Sequence, residues 1–493
     1  MSVSNSINFL GSYSGITSET IDSLIAAQSG KLTQYNNQKE SLTKEKTAWS
    51  DIQTRLTNLN TKMDTLMDPK SFFSKKTTSS DETKLAVTSG TNAVPGKYEI
   101  AIERLASASR LTSGQILTTD QTTTTALGFK GNFTLASQDT SEIGSSDPKT
   151  LKQADISVAS TDTLKDIITK INAQTKDSGI SATIIDGRLS LADAQLGDRT
   201  IAVTSATDLA DKLALNPAAA GATKAATLAA GTSAKVTVNN TITLERNSNT
   251  ITDAIEGMTL NLKATTTPGT SVSLSVADDT ENTLKVVKDF VEQYNSTVSF
   301  VTEKLSVGNP SSETNVAGAL SGDSTLMRLQ SSLRQMLTGG VAIQKTNPSD
   351  TKETQKLDFI GSLGISVDRY GKASIDETKL KEVITKEPNR VAGFFSRSIT
   401  VDGTTEKKKV GLAEKLQTVV NSFVDSKDGM ITAKNKTYDK AVDDIAKKIE
   451  AFNLRMEAQR ARYVKTFTAL DTAMMQAESQ MSYLSSQLTS SND

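Results

Sequence analysis

From Val442 to Leu488 the apolar residues keep one strict rhythm. Val442, Ile445, Ile449, Phe452 and Met456 are spaced 3, 4, 3, 4. After a polar gap, Tyr463, Phe467, Leu470, Met474, Ala477, Met481, Leu484 and Leu488 are spaced 4, 3, 4, 3, 4, 3, 4. Such spacing lays one narrow stripe along a helix, the seam of a coiled coil and not the broad face of a globular helix. No Pro or Gly interrupts it. At about 1.5 Å per residue the rod is roughly 70 Å long. A rod this thin cannot bury its own stripe, so the rhythm predicts a partner helix.

The other end of the chain offers one. Tyr35, Leu42, Trp49, Leu56 and Met63 recur every seven residues, and Leu32, Ile52, Leu59 and Leu66 fill the second seam position. Between Asn36 and Ala48 the pattern thins to Leu42 alone, and the polar stretch Asn36 to Lys46 would let the leg bend. The simplest reading pairs the two ends; two ordinary amphipathic core helices are the alternative. Near Arg460 the C-terminal seam slips through spacings of 3, 4, 4, which unwinds a left-handed coil locally and marks the boundary between leg and body.

Composition then narrows the chemistry. The 493 residues imply three or four domains. There is no Cys and no His, which removes thiolate and imidazole nucleophiles, bases and metal ligands together. A formal charge of −1 gives no reason to expect nucleic acid as a partner. Met1 to Ser14 has neither a basic start nor an apolar run, so no cleaved signal peptide is expected, and no membrane span either.

Along the chain, Ile16 to about Met67 reads as helix, stopped by Asp68-Pro69. Alternating segments at Lys84–Thr88 and Lys97–Ile102 flank a Pro95-Gly96 turn. From about Leu111 to Ala234, Thr, Ser, Ala and Gly dominate. Inside that region lies a β-α-β-β unit: strand Ile156–Val158, a helix capped by Thr161 or Asp162, then strands Ile180–Ile185 and Leu189–Leu191. Alternation returns between Lys235 and Val276. Helices follow at Thr280–Leu305, Leu326–Leu337, Asp376–Thr385, Pro388–Phe395 and Gly411–Val424, with a hairpin around Asp368-Arg369-Tyr370-Gly371, before the terminal helix starts past Gly429.

Patterns that resemble chemical sites fail on spacing. Gly90 to Lys97 approaches a phosphate loop but has five intervening residues and ends in Tyr98. Asp368 to Glu377 approaches a calcium loop, yet Tyr370 and Lys372 stand at ligand positions. Asp278-Asp279 and Asp443-Asp444 read as solvated, and Lys407-Lys408-Lys409 as a charged turn. No cofactor, metal or catalytic residue is expected.

Several segments carry a family resemblance. Ser14-Gly15-Ile16-Thr17 with Ile21, Leu24 and Ile25 is similar to the first helix of the bacterial flagellar filament cap proteins, the second hook-associated protein family, though that family usually reads Ser-Gly-Leu-Asp. Gly318 to Leu326, Leu363 to Asp376 and Val391 to Phe395 resemble further family segments. The strongest is Arg462-Tyr463 through Phe467-Thr468-Ala469-Leu470-Asp471 to Ser482-Tyr483-Leu484. Ile156 to Leu191 resembles the insert repeated in flagellin and hook-associated proteins.

The resemblance implies a structural cap at the distal, extracellular tip of the flagellum, exported without a cleaved signal peptide, that retains flagellin and promotes its folding and polymerisation. Its implied partners are further copies of the chain in a closed homo-oligomer, flagellin, hook-associated junction proteins, and an export chaperone at the C-terminal helix. A host surface ligand for the head is compatible with it. The rival readings are another axial flagellar or junction protein, a secreted adhesin, and, with little support, an enzyme.

The expected fold is α+β and multidomain, with the terminal helices paired as a coiled-coil leg, a helix-rich body, and β-rich head domains nested in mid-chain. Residues 1–45 and 458–493 would form the leg, 46–76 and 281–457 the body, 77–110 and 235–280 a β-rich head domain, and 111–234 an inserted variable outer domain. The candidate partner-helix seam is Tyr35, Leu42, Trp49 and Leu56 with Tyr463, Phe467, Leu470, Met474, Met481, Leu484 and Leu488.

Overall fold

A computed structural model describes residues 10–118, 120–143, 150–216, 225–308, 317–344, 356–401 and 405–490. The chain divides into two compact units, Met1–Phe72 with Thr280–Asp493, and Phe73–Asp279.

The first unit is mainly helical, with three short antiparallel strand pairs among the described residues. Thr17 caps α1 (Ser18–Ala27) by accepting the Thr20 amide, and α2 (Gly30–Met67) follows. Pro69 disfavours helical geometry for the residue before it, and Asp68 turns extended there. The short α3 (Lys70–Phe73) then presents Phe72, which stacks on Phe395 at 5.9 Å.

Later in the chain come α7 (Thr280–Leu305), α8 (Ser324–Thr338), α9 (Glu377–Lys386), α10 (Pro388–Phe395), α11 (Leu412–Val424) and α12 (Met430–Ser490). Between α3 and α7 lie the short helices of the second unit: α4 (Leu164–Ala173), α5 (Thr175–Ser178) and α6 (Leu209–Lys212). Asp323 and Asp376 cap α8 and α9 through their carboxylates, satisfying amides that have no partner inside the helix. Leu284, Val287, Val291, Tyr294, Val298 and Val301 bury one face of α7, which packs on α2. With 61 residues, α12 is about 92 Å long.

A local expectation changes here, at Lys407–Lys409. The polar stretch Asn36–Lys46 lies within the continuous α2. Lys, Glu and Gln are good helix formers, and Lys44 pairs with Glu40 one turn away. A break falls earlier, at Gln28 and Ser29, between α1 and α2. Lys407–Lys409 is a strand and not a turn; it pairs with Ser398–Thr400.

The second unit is built on antiparallel pairs. One sheet runs β1 (Lys75–Ser79), β15 (Val272–Asp278), β3 (Gly96–Arg104), β11 (Ala234–Val238) and β12 (Ile242–Arg246). A smaller sheet holds β13 (Thr250–Ile251), β14 (Met258–Leu262) and β2 (Leu85–Ser89). Their inward residues, among them Leu85, Ile100, Ile102, Val236, Leu260 and Leu274, form one core. A strand, β3, follows the Gly90–Lys97 stretch where a phosphate loop would need a helix.

The segment between β3 and β11 leaves and returns on neighbouring strands. β4 (Ala108–Thr112) pairs with β10 (Thr227–Ala229), placing Thr112 opposite Thr227. Its sheet continues through β8 (Arg188–Leu196) to β7 (Ile180–Ile185). A second sheet, β6 (Lys152–Val158), β5 (Gly131–Asp139) and β9 (Arg199–Thr204), shares its core with α4. The cap of α4 is Thr163, one residue beyond the expected pair, because Thr163 and Asp166 close a capping box. Asp162 instead accepts the Ala159 amide and pairs with Lys170.

Arg199 and Asp193, both closed off from solvent, form an ion pair at 2.9 Å. Ser137 donates to Asp193, and Arg199 Nη2 donates to Ser137 Oγ at 2.7 Å. The network ties β5, β8 and β9 together.

Candidate assembly interface

The two ends of the chain run antiparallel. Lys46 pairs with Asp439 on α12, Gln28 Nε2 donates to the Tyr463 hydroxyl, and Arg460 grips Asp22 and Ser18. Further along, the Asp471 carboxylate accepts the amides of Gly11 at 2.6 Å, Tyr13 at 3.3 Å and Ser14 at 2.6 Å. Asp471 is buried. The Ser14 side chain, with these amides, holds its carboxyl below the usual carboxylate range. Gly11 and Gly15 adopt left-handed φ values of 85° and 71°, so the turn can wrap the carboxylate.

At the inner end, Trp49 is fully buried, and the Lys434 ammonium stands 5.6 Å from its ring. Lys434 also donates to Asp323, the α8 cap, at 2.7 Å. Burial and the nearby Glu45 carboxylate push the Tyr438 phenol up to about 12.

Leu56 is as deeply buried as Trp49 and belongs to the core that α2 forms with α7 and α11. Tyr35 and Leu42 are half-buried on the outer part of α2. Tyr463 and Phe467 are half-buried beside α1, their rings 6.0 Å apart. The face of α12 turned to α1 runs Arg460, Val464, Phe467, Asp471, and Leu470 points outward. Met474 is 40% exposed, Met481 73% and Leu484 55%; past Asp471 the apolar row has no cover among the described residues. Leu488 continues the helix, its side chain outside the described residues.

Periodicity alone did not single out Asp471, Asp22 or the Gly11–Ser14 turn, and it marked Arg460 only as the place where the seam slips. The available signal was a lone acid in a heptad position, four residues after Phe467 and three before Met474. Among the described residues no acidic group of three is placed to hold a metal, and no helix is long and apolar enough to cross a membrane.

The paired ends define the class by their geometry: a chain whose two terminal helices associate and leave an apolar row past Asp471 uncovered among the described residues. Comparison makes it specific. Residues 14–109 match the flagellar hook-associated protein 2 N-terminus model, 231–479 the corresponding C-terminus model, and 132–195 the flagellin hook IN motif. The chain is 32% identical over 501 residues to flagellar hook-associated protein 2 of Escherichia coli (strain K12), covering 99% of each chain. It is 26% identical over 494 residues to the A-type flagellar hook-associated protein 2 of Pseudomonas aeruginosa, covering 95% of this chain and 94% of that one. The crystal structure of the flagellar cap protein FliD D1-D2-D3 domains from Escherichia coli superposes with a TM-score of 0.58 at 29% identity, covering 80% of this chain and 99% of that one. The chain belongs to the flagellar hook-associated protein 2 family.

Proposed function

We propose that this chain caps the distal end of the flagellar filament outside the cell, where it retains arriving flagellin and promotes its folding and polymerisation. One observation supports this reading most directly: α12 continues past Asp471 with Met474, Met481 and Leu484 exposed. An apolar row on a charged helix is stable when another surface removes it from water. In the cap that surface belongs to neighbouring subunits or to flagellin, and before export to a chaperone. The chain works as a closed homo-oligomer, meets the hook-associated junction proteins before filament growth, and acts mechanically and not as an enzyme. The adhesin alternative has no supporting observation in the family match.

The test is Met481→Asp with Leu484→Asp in the flagellated cell. Each charge placed in a dry helix interface costs on the order of a few kcal/mol. The expected result is loss of filaments, with flagellin monomer in the medium and the purified variant still folded. Normal filaments would overturn the role of this row. Normal filaments after deletion of the whole gene would overturn the cap reading.

A further inference from the structure

On the helical unit, an open groove of about 1010 Å³ lies between the end of α8, the strand Lys407–Lys409 and the start of α11. Its floor includes Val341, Ile399 and Val419, and its rim carries Lys408, Lys409 and Lys415. The side chains of Lys407–Lys409 are exposed, and no carboxylate pairs with them among the described residues. Lys415 donates to the Gly340 carbonyl at 3.0 Å; burial, and then the charge of Lys408, hold its ammonium below the usual lysine range. Glu414, the one carboxylate among the described lining residues, is engaged by Ser396 at 2.8 Å. The groove thus has an apolar floor and an excess of positive charge.

The complement lies elsewhere on the same chain. Asp443, Lys447, Glu450, Leu454 and Glu457 follow each other at 4, 3, 4, 3 along α12, and all five are exposed. Leu454, 61% exposed, stands between two carboxylates that have no cationic partner among the described residues. An apolar knob flanked by acids fits an apolar floor flanked by lysines. The match is not internal: Leu454 lies roughly 36 Å along α12 from Met430, and no residue of α12 lines the groove.

We infer that the Lys408–Lys409–Lys415 groove of one subunit receives the Glu450–Leu454–Glu457 stripe of a second copy of this chain. The inference rests on the closed-oligomer reading above. A ring built head to tail needs two different complementary patches on one chain, and these two meet that requirement.

Sedimentation of the full chain over a range of concentrations tests it. Lys408→Glu with Lys409→Glu on the groove, or Glu450→Lys with Glu457→Lys on the stripe, should each raise the concentration needed for assembly by at least about tenfold, since like charges then face each other. The fourfold variant carrying both reversals should assemble again, because every groove then meets a stripe of opposite charge. Assembly unaffected by either reversal would overturn the groove while leaving the oligomer intact. Loss in both reversals without rescue would show that the two patches are not partners. Unaffected assembly with lost flagellin retention would give the groove to flagellin instead. A wild-type chain that stays monomeric throughout would overturn the closed-oligomer reading itself, and the inference with it.

Discussion

The Asp471 carboxylate accepts the Gly11 amide at 2.6 Å across 460 positions of sequence. With Tyr13 and Ser14 bound to the same carboxylate, one side chain closes the N-terminal turn onto the C-terminal helix. A carboxylate suits this place because it only accepts, and every group it meets in the turn donates.

Asp471→Asn keeps the shape but replaces one acceptor oxygen with a donor. The turn should open, so that amides from Gly11 to Ala27 exchange hydrogen faster and a protease cuts ahead of α2. Amides in the buried part of α2, from Ala48 to Leu66, should exchange as before. Unchanged exchange at Tyr13 and Ser14 would refute the latch.

The same contact predicts an acid response. The folded-state pKa of Asp471 lies below the ordinary value of 3.8. The stability it adds is therefore complete above the unfolded-state value and is lost as pH falls through the folded one. Protection of Gly11 to Ser14, taken relative to the intrinsic exchange rate at each pH, should stay constant from neutral pH down to about pH 5 and fall in more acidic solution. Asp471→Asn should abolish that fall.

In the β unit, Arg199→Met leaves Asp193 charged and enclosed. The expected loss is about 3–5 kcal/mol in urea unfolding of the full chain, read from the transition of this unit. Replacing the pair together, Arg199→Met with Asp193→Leu, should recover most of it, because no buried charge then lacks a partner. Equal losses in the single and double variants would point to packing and not charge.

Trp49 fills the junction of α2 and α12, and Trp49→Ala should cost about 3–5 kcal/mol of helical-unit stability. Leu42→Ala, at a half-buried position on the same helix, should cost less than half as much in the same melt.

Much of the local structure was legible because its causes are local. Thr280 to Leu305 forms one helix at the expected limits, since its apolar spacing and flanking breaks lie within the segment. Asp323, Asp376 and Pro388 begin helices for reasons carried by those residues. Asp186-Gly187 turns a hairpin because both adopt left-handed φ, 51° and 69°. The strict heptad at the two ends announced that each helix needed company.

What decided the rest lies between distant residues. No window of sequence pairs Gly11 with Asp471, Asp22 with Arg460, or Thr112 with Thr227, and strand order depends on which edges meet after folding. The helix read from Ile16 to Met67 is divided at Gln28 and Ser29, yet it runs on through Asn36–Lys46 where the apolar pattern thins, because helix continuity depends on backbone propensity, while apolar spacing reports only the side that is buried. The sequence by itself determined periodicity, caps, turns and the absence of Cys and His chemistry, all properties of neighbouring residues. Only the tertiary structure decided which donors meet which acceptors, because a hydrogen bond or ion pair depends on separation in space, and folding alone sets that separation.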